Sequence, residues 1–236
     1  MCRISKLVGI PRRSWVAAAH AALEPSYAVV QATCGYGCGL NSAAFIGAYL
    51  AEEAVLGGGW PDACDHFRNA LLEAIGRVRP GDVVATVTAA YKFPLAGHFD
   101  GAFLAGVEAM VHDRGATLLI LGDGPYLKDH GFNCAAPETS ADCDTPLDDA
   151  VSPLAREAAA FYDARAAAAP GRTLHFPVVD LLCEGGLCRA AVPGTATVAV
   201  TDKGHWTTAA SLYLAPFLHC FLLDAGLVDA DPPDAC

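Results

Sequence analysis

The chain reads as one three-layer α/β/α sandwich built on a mainly parallel sheet. Three observations predict it. Strand-like and helix-like runs alternate along the chain, as in repeated strand–helix–strand units. The strand at Ala116–Leu121 is apolar at every position but Thr117 and does not alternate, the pattern of a strand covered on both faces. No internal repeat, low-complexity tract or long linker divides the chain, and 236 residues suit one well-buried core better than two. The expected organisation is therefore a single domain over 1–236, with a loose tail at 225–236 that includes Asp229-Ala-Asp-Pro-Pro-Asp.

The elements follow in order. Ile4–Val8 is a short apolar-rich run, Ser14–Leu23 is Ala-rich and helix-prone, and Tyr27–Ala32 is a strand. Asn41–Val55 and Cys64–Val78 are helices, the second with Phe67, Leu71, Leu72 and Ile75 at helical spacing. Arg79-Pro-Gly-Asp82 stops it, and Val83–Thr88 is the next strand. A helix over Gly101–Arg114 leads to the strand Ala116–Leu121, and residues 123–148 form a loop rich in Cys, Pro and Asp. Ser152–Ala168 is a helix ended by Pro170-Gly171, and Thr173–Val179 is a strand. Thr195–Val200 is a short strand or turn-linked run. Thr207–Leu223 is the last helix, kinked at Pro216. Ligand sites in such sheets lie beyond the carboxyl ends of the strands.

Composition narrows the function. Apolar residues make up 53% and charged residues 17%, a globular mixture. The formal charge of −11 argues against a nucleic-acid backbone or an anionic membrane surface as partner, since both repel it. The longest apolar stretch, Leu212–Leu223, is shorter than the roughly 20 residues of a membrane span and carries Pro216 and His219, so it reads as a buried helix. The start, Met1-Cys-Arg-Ile-Ser-Lys-Leu-Val-Gly, has no apolar signal core. That fits a cytosolic protein or a piece of a longer one.

The ten cysteines favour an extracytoplasmic setting. Cys183-Glu-Gly-Gly-Leu-Cys188 places two glycines between its thiols, and such a loop can bring two Cα atoms to disulfide distance. Cys134 and Cys143 flank a second loop that can be clipped. The alternative is free or metal-bound thiols. Zinc sites use paired CxxC or His spacings, and no CxxC occurs here.

The sharpest chemical signal is Thr201-Asp202-Lys203-Gly204-His205-Trp206-Thr207-Thr208, between an apolar run and a helix. An Asp and a His three apart on a loop entering a helix can turn together into a cleft. The carboxylate then accepts the imidazole Nδ1–H, which leaves Nε2 as a base toward a hydroxyl. Thr207 or Thr208 can cap the helix. The plainer alternative is a capped helix with an exposed Asp and His. Among other residues, His98, His112, His130, His175 and His219 read as structural. Trp60 and Trp206 are candidates to line a sugar-binding cleft, Trp206 the better placed beside His205.

In context the chain resembles the SGNH domains attached to type 3 membrane acyltransferases. The likeness is carried by Leu181-Leu-Cys-Glu-Gly-Gly-Leu-Cys188, then by Thr201-Asp-Lys-Gly-His-Trp-Thr-Thr and its Ala-rich helix with Leu-Ala-Pro. Gly81–Tyr91 resembles the central strand of that family, and Leu118–Pro125 with Phe132-Asn-Cys134 its next strand and Pro/Cys loop. Thr33-Cys-Gly-Tyr-Gly-Cys38 and Asp62-Ala-Cys64 resemble its paired-cysteine segment, which adds Cys38 and Cys64 to the disulfide candidates. The likeness runs over about residues 14–220.

The resemblance implies a flavodoxin-like sandwich and ester chemistry on O-acyl groups, of acetyl type, carried by carbohydrates. The substrate would be a small acyl ester or acylated sugar, a membrane acyltransferase domain would be a partner, and neither metal nor organic cofactor would be needed. Asp202 and His205 would be catalytic, and Gly35 and Gly37 can supply backbone N–H groups to an oxyanion hole. The family's Gly-Asp-Ser nucleophile motif is missing. In one register Ile10-Pro11 follows Leu7-Val-Gly9 in its place, so no nucleophile remains. In the other, Ser14 opens the first helix as the nucleophile, with Arg12-Arg13 before it, or serves only as its N-cap. A catalytically inactive lumenal or secreted domain that binds glycan or protein is the second functional expectation.

Overall fold

The structure is a computed structural model and describes residues 3–8, 27–32, 72–87, 102–128, 143–200 and 206–228. The helices expected at Ser14–Leu23 and Asn41–Val55 lie outside these residues. Of the helix expected over Cys64–Val78, residues 72–78 are described; 72–76 are helical, and the helix ends in a turn at Arg77, one residue short of the expected end.

Among the described residues, five strands form a wholly parallel sheet: β1 (Arg3–Val8), β2 (Tyr27–Ala32), β3 (Val83–Val87), β4 (Thr117–Leu121) and β6 (Thr173–Phe176). Their spatial order is β2-β1-β3-β4-β6. This is the doubly wound order of the flavodoxin type, which reverses direction between β1 and β3. Register is continuous across it: Lys6 pairs with Val84, Ala85 with Leu119, and Leu119 with Leu174.

The turn before β3 follows from its residues. Gly81 takes φ +84°, a conformation that costs glycine little. The Asp82 carboxylate accepts the Arg79 N–H at 2.9 Å, and the Gly81 N–H donates to Gly115 O at the same distance, tying this turn to the one before β4.

Helices cover both faces, and the two-residue period of the strands decides which residue meets which helix. Val83, Ala85, Leu119, Leu121 and Phe176 form one cluster with the last helix, α5 (Thr208–Asp224). That helix buries Ala210, Leu214, Leu218 and Leu222 at a spacing of four. It continues through Pro216. The carbonyl left without an N–H partner belongs to Leu212, an exposed residue, where water can satisfy it.

The opposite face receives α1 (Ala102–Asp113) and α3 (Pro153–Ala168). On α1, Leu104, Val107, Glu108 and Val111 are all buried, so a carboxylate occupies a core position of the apolar stripe. Its cost is offset by three donors: Arg165 Nε at 2.6 Å, the same guanidinium's second nitrogen, and Thr173 Oγ1 at 2.6 Å. One buried acid thus joins α1, α3 and β6. On α3, Ser152 caps the first turn by accepting the Ala155 N–H at 3.1 Å, and Pro153 stands where a missing N–H costs nothing.

Two expectations need correction. The strand starting at Thr173 ends at Phe176, not Val179. Pro177 has no N–H to donate to the ladder, and Val178 turns into the short helix α4 (Val179–Leu182). The loop expected over 123–148 is not wholly irregular. It contains β5 (Thr145–Pro146) and the start of α2 (Leu147–Ala150), and β5 pairs with a hairpin of β7 (Cys183–Glu184) and β8 (Leu187–Cys188). The expected clip is present in that hairpin: a disulfide joins Cys183 to Cys188, and Gly185 and Gly186 both take positive φ in its turn. Cys143 and Cys220 are disulfide-bonded as well. After α5 the chain stays packed as far as Val228, which is buried in the core.

Candidate active site

The carboxyl ends of β4 and β6 open into two short connections, Gly122–Leu127 and Pro177–Val178. The first is well anchored. Gly122 N–H donates to Phe176 O at 2.8 Å, Tyr126 N–H to Ala150 O at 2.8 Å, and Lys128 N–H to Thr145 Oγ1 at 3.0 Å. The backbone N–H of Gly124 donates to Asp123 Oδ1 at 3.2 Å.

Trp206 lies against this connection. A Cβ at Gly124 would stand 2.5 Å from both Nε1 and Cε2 of the indole, so the ring lies flush on the glycine backbone. The ring is buried. Its backbone forms a bridge with Val200, and Ala191 forms one with Val198. Thr195–Val200 is thus the turn-linked run of the two forms expected. Thr207 then starts α5: its Oγ1 accepts the Ala210 N–H at 3.1 Å and donates to Val198 O at 2.8 Å. Of the two threonines expected to cap, the first does so. The bridge and the cap together hold Val200, Trp206 and Thr207 beside one another.

Asp202, His205 and Ser14 lie outside the described residues, as do Gly35, Gly37, Trp60, Cys38, Cys64 and Cys134. Trp206, Cys143, Cys183 and Cys188 are described. Of the histidines read as structural, His112 holds the start of β6, its Nε2 lying 3.0 Å from Thr173 Oγ1. His219 is buried on α5. His175 does more than fill space. Its Nδ1 lies 2.7 Å from Asp163 Oδ1, and Tyr162 meets its ring edge-on at 5.3 Å. Its neighbourhood is a pocket of about 270 Å³ between α3 and the ends of β4 and β6.

A larger groove of about 630 Å³ lies beside the clipped hairpin, between Tyr213 and Phe217 of α5, Leu181 and Pro193. Asp144 crosses its floor, accepting Arg189 Nη1 and the Ala190 N–H, each at 2.9 Å. Among the described residues, no group of three or more His, Cys, Asp or Glu side chains could hold a metal ion. No helix among them is long and apolar enough to cross a membrane.

Residues 13–219 match the family described as the SGNH domain (fused to AT3 domains). The chain belongs to that family. Its SGNH fold is also seen in a solved structure, the periplasmic domain of a lipopolysaccharide acetyltransferase from Salmonella ser. Paratyphi A. The two are 14% identical and superpose with a TM-score of 0.60 over 91% of this chain and 81% of the other. No curated protein matches the chain. As an SGNH domain, the chain is of the esterase and acyltransferase type.

Proposed function

We propose that the whole chain is one SGNH domain that moves O-acyl groups, of acetyl type, on carbohydrates. A serine attacks the acyl carbonyl, His205 takes and returns the proton, and Asp202 holds His205 in the required tautomer. Ser14, at the start of the first expected helix, is the proposed nucleophile, and backbone N–H groups at Gly35 and Gly37 stabilise the oxyanion. Water as acceptor gives an esterase, and a sugar hydroxyl gives a transferase.

One observation carries this reading. Trp206 lies on Gly124 at the carboxyl edge of the sheet, and the residue before it is the His of the Asp-x-x-His motif. The carbohydrate part is supported by the lipopolysaccharide acetyltransferase whose periplasmic domain shares the fold. A membrane acyltransferase as partner is supported by the family's fusion to AT3 domains. The Cys183–Cys188 disulfide supports an oxidising, extracytoplasmic compartment.

The test is turnover of p-nitrophenyl acetate by the purified protein. Expected is hydrolysis above buffer that His205→Ala and Ser14→Ala both abolish. Loss in His205→Ala with full activity in Ser14→Ala would remove Ser14 from the mechanism. A second reading, an inactive glycan- or protein-binding domain, is favoured by the absence of Gly-Asp-Ser and by Pro11 in one register. Wild-type turnover equal to buffer would select it.

A further inference from the structure

The pocket at the ends of β4 and β6 has the parts of a binding site. Its wall is apolar, formed by Leu147, Val151, Ala158, Ala159 and Tyr162. Set into that wall is the imidazole of His175, with a side chain only 3% exposed, while the side chains of Asp123, Arg156, Asp163 and Asp180 line the same space. A carboxylate can only accept, so the Asp163 bond places the proton of neutral His175 on Nδ1. Nε2 is then a lone-pair acceptor, and it has no hydrogen-bond partner among the described residues. It faces Gly122, where an added Cβ would come within 3.3 Å of it.

The remaining charges do not favour an anion. Arg156, on the pocket rim, is already paired with Asp148 at 2.6 Å, and Asp123, Asp163 and Asp180 also line the space. A volume of about 270 Å³ exceeds the roughly 30 Å³ share of one water many times over and approaches the lower end of small-molecule sites.

We infer that this pocket binds a small, neutral, largely apolar alcohol or phenol whose hydroxyl donates to His175 Nε2. The ring or alkyl body lies on the alanine-rich face of α3, and the bond to His175 Nε2 fixes its orientation. A buried acceptor distinguishes a hydroxyl from its methyl ether, because the ether leaves Nε2 desolvated and unmatched.

Phenol and anisole are the probes, followed by long-range ¹H–¹⁵N spectra of histidine-labelled protein. Expected is a saturable shift of the His175 Nε2 resonance by phenol, with a dissociation constant in the roughly millimolar range for so small a ligand. Anisole should bind about tenfold more weakly. His175→Phe keeps a ring beside Tyr162 but removes the acceptor, and titration of this variant followed by ligand-observed saturation-transfer spectra should show no difference between the two probes. Ala159→Leu fills the pocket from the helix and should abolish binding of both while the fold is retained. The inference is overturned if phenol gives no saturable shift, if anisole binds as well as phenol to the wild type, or if Ala159→Leu binds phenol unchanged. None of these readouts depends on ester turnover.

Discussion

Gly124→Ala is the substitution that best tests the placement of Trp206. Gly124 does not have positive φ, so the backbone accepts alanine and only the new methyl matters. That methyl would lie 2.5 Å from Nε1 and Cε2 of the indole, whereas carbon atoms in contact rest at about 3.5–4.0 Å. The ring must therefore retreat by about 1 Å or more. Trp206 is buried and cannot swing into solvent. Forced overpacking of this kind costs about 1–3 kcal/mol. For a chain of this size the melting midpoint should fall by about 3–10 °C. Gly106→Ala is the matched control: the site lies on α1, and nothing is within 4 Å of the added methyl. It should raise stability by about 0.5–1 kcal/mol, since alanine is the better helix former. Thermal melts with tryptophan fluorescence read both variants. A Gly124→Ala protein that melts within about 1 °C of wild type, with unshifted emission, would refute the placement of the indole on that glycine.

Other consequences can be checked in the same way. Glu108→Ala leaves Arg165 half-exposed without its carboxylate and Thr173 Oγ1 without its buried acceptor, so urea unfolding should show a loss of about 2–4 kcal/mol with unchanged m value. Replacing Cys183 and Cys188 together by serine opens a short loop of sequence separation 5, for which loop-closure entropy gives a loss of about 2 kcal/mol, read by denaturant titration. Thr207→Ala removes the acceptor for the Ala210 N–H at the start of α5 and should cost about 1 kcal/mol in the same titration.

Much of the architecture was legible because it rests on long, one-sided patterns. The strand read at Ala116–Leu121 is β4 at Thr117–Leu121, since a strand covered on both faces is apolar throughout. The helices read at Gly101–Arg114, Ser152–Ala168 and Thr207–Leu223 agree with α1, α3 and α5 within about two residues, because caps and an apolar stripe mark them. β6 was read too long because Val178 and Val179 look strand-like, and the missing N–H of Pro177 outweighed that preference. β5, β7 and β8 are two residues each, too short to carry a period.

The site was legible only where its chemistry is local. Asp-x-x-His and the threonine cap lie within a few neighbouring residues and could be read directly. Glu108 with Arg165 could not, because nothing near residue 108 announces a partner on a later helix. His175 was set aside as structural for the same reason. Its Asp163 is twelve positions earlier on a different element, and only packing α3 against β6 brings them together. The signal available was a lone histidine in a strand that otherwise needs none.

The position of β1 has a consequence for how the molecule is made. The first described strand is an interior strand of the sheet, with β2 on one side and β3 on the other. Lys6 reaches its partner Val84 only after the intervening residues have left the ribosome or crossed a membrane. Until then one edge of β1 stays open to any other extended chain. Closing so distant a pairing is slow, which makes delayed docking of β3 the step at which an emerging chain is most exposed to aggregation.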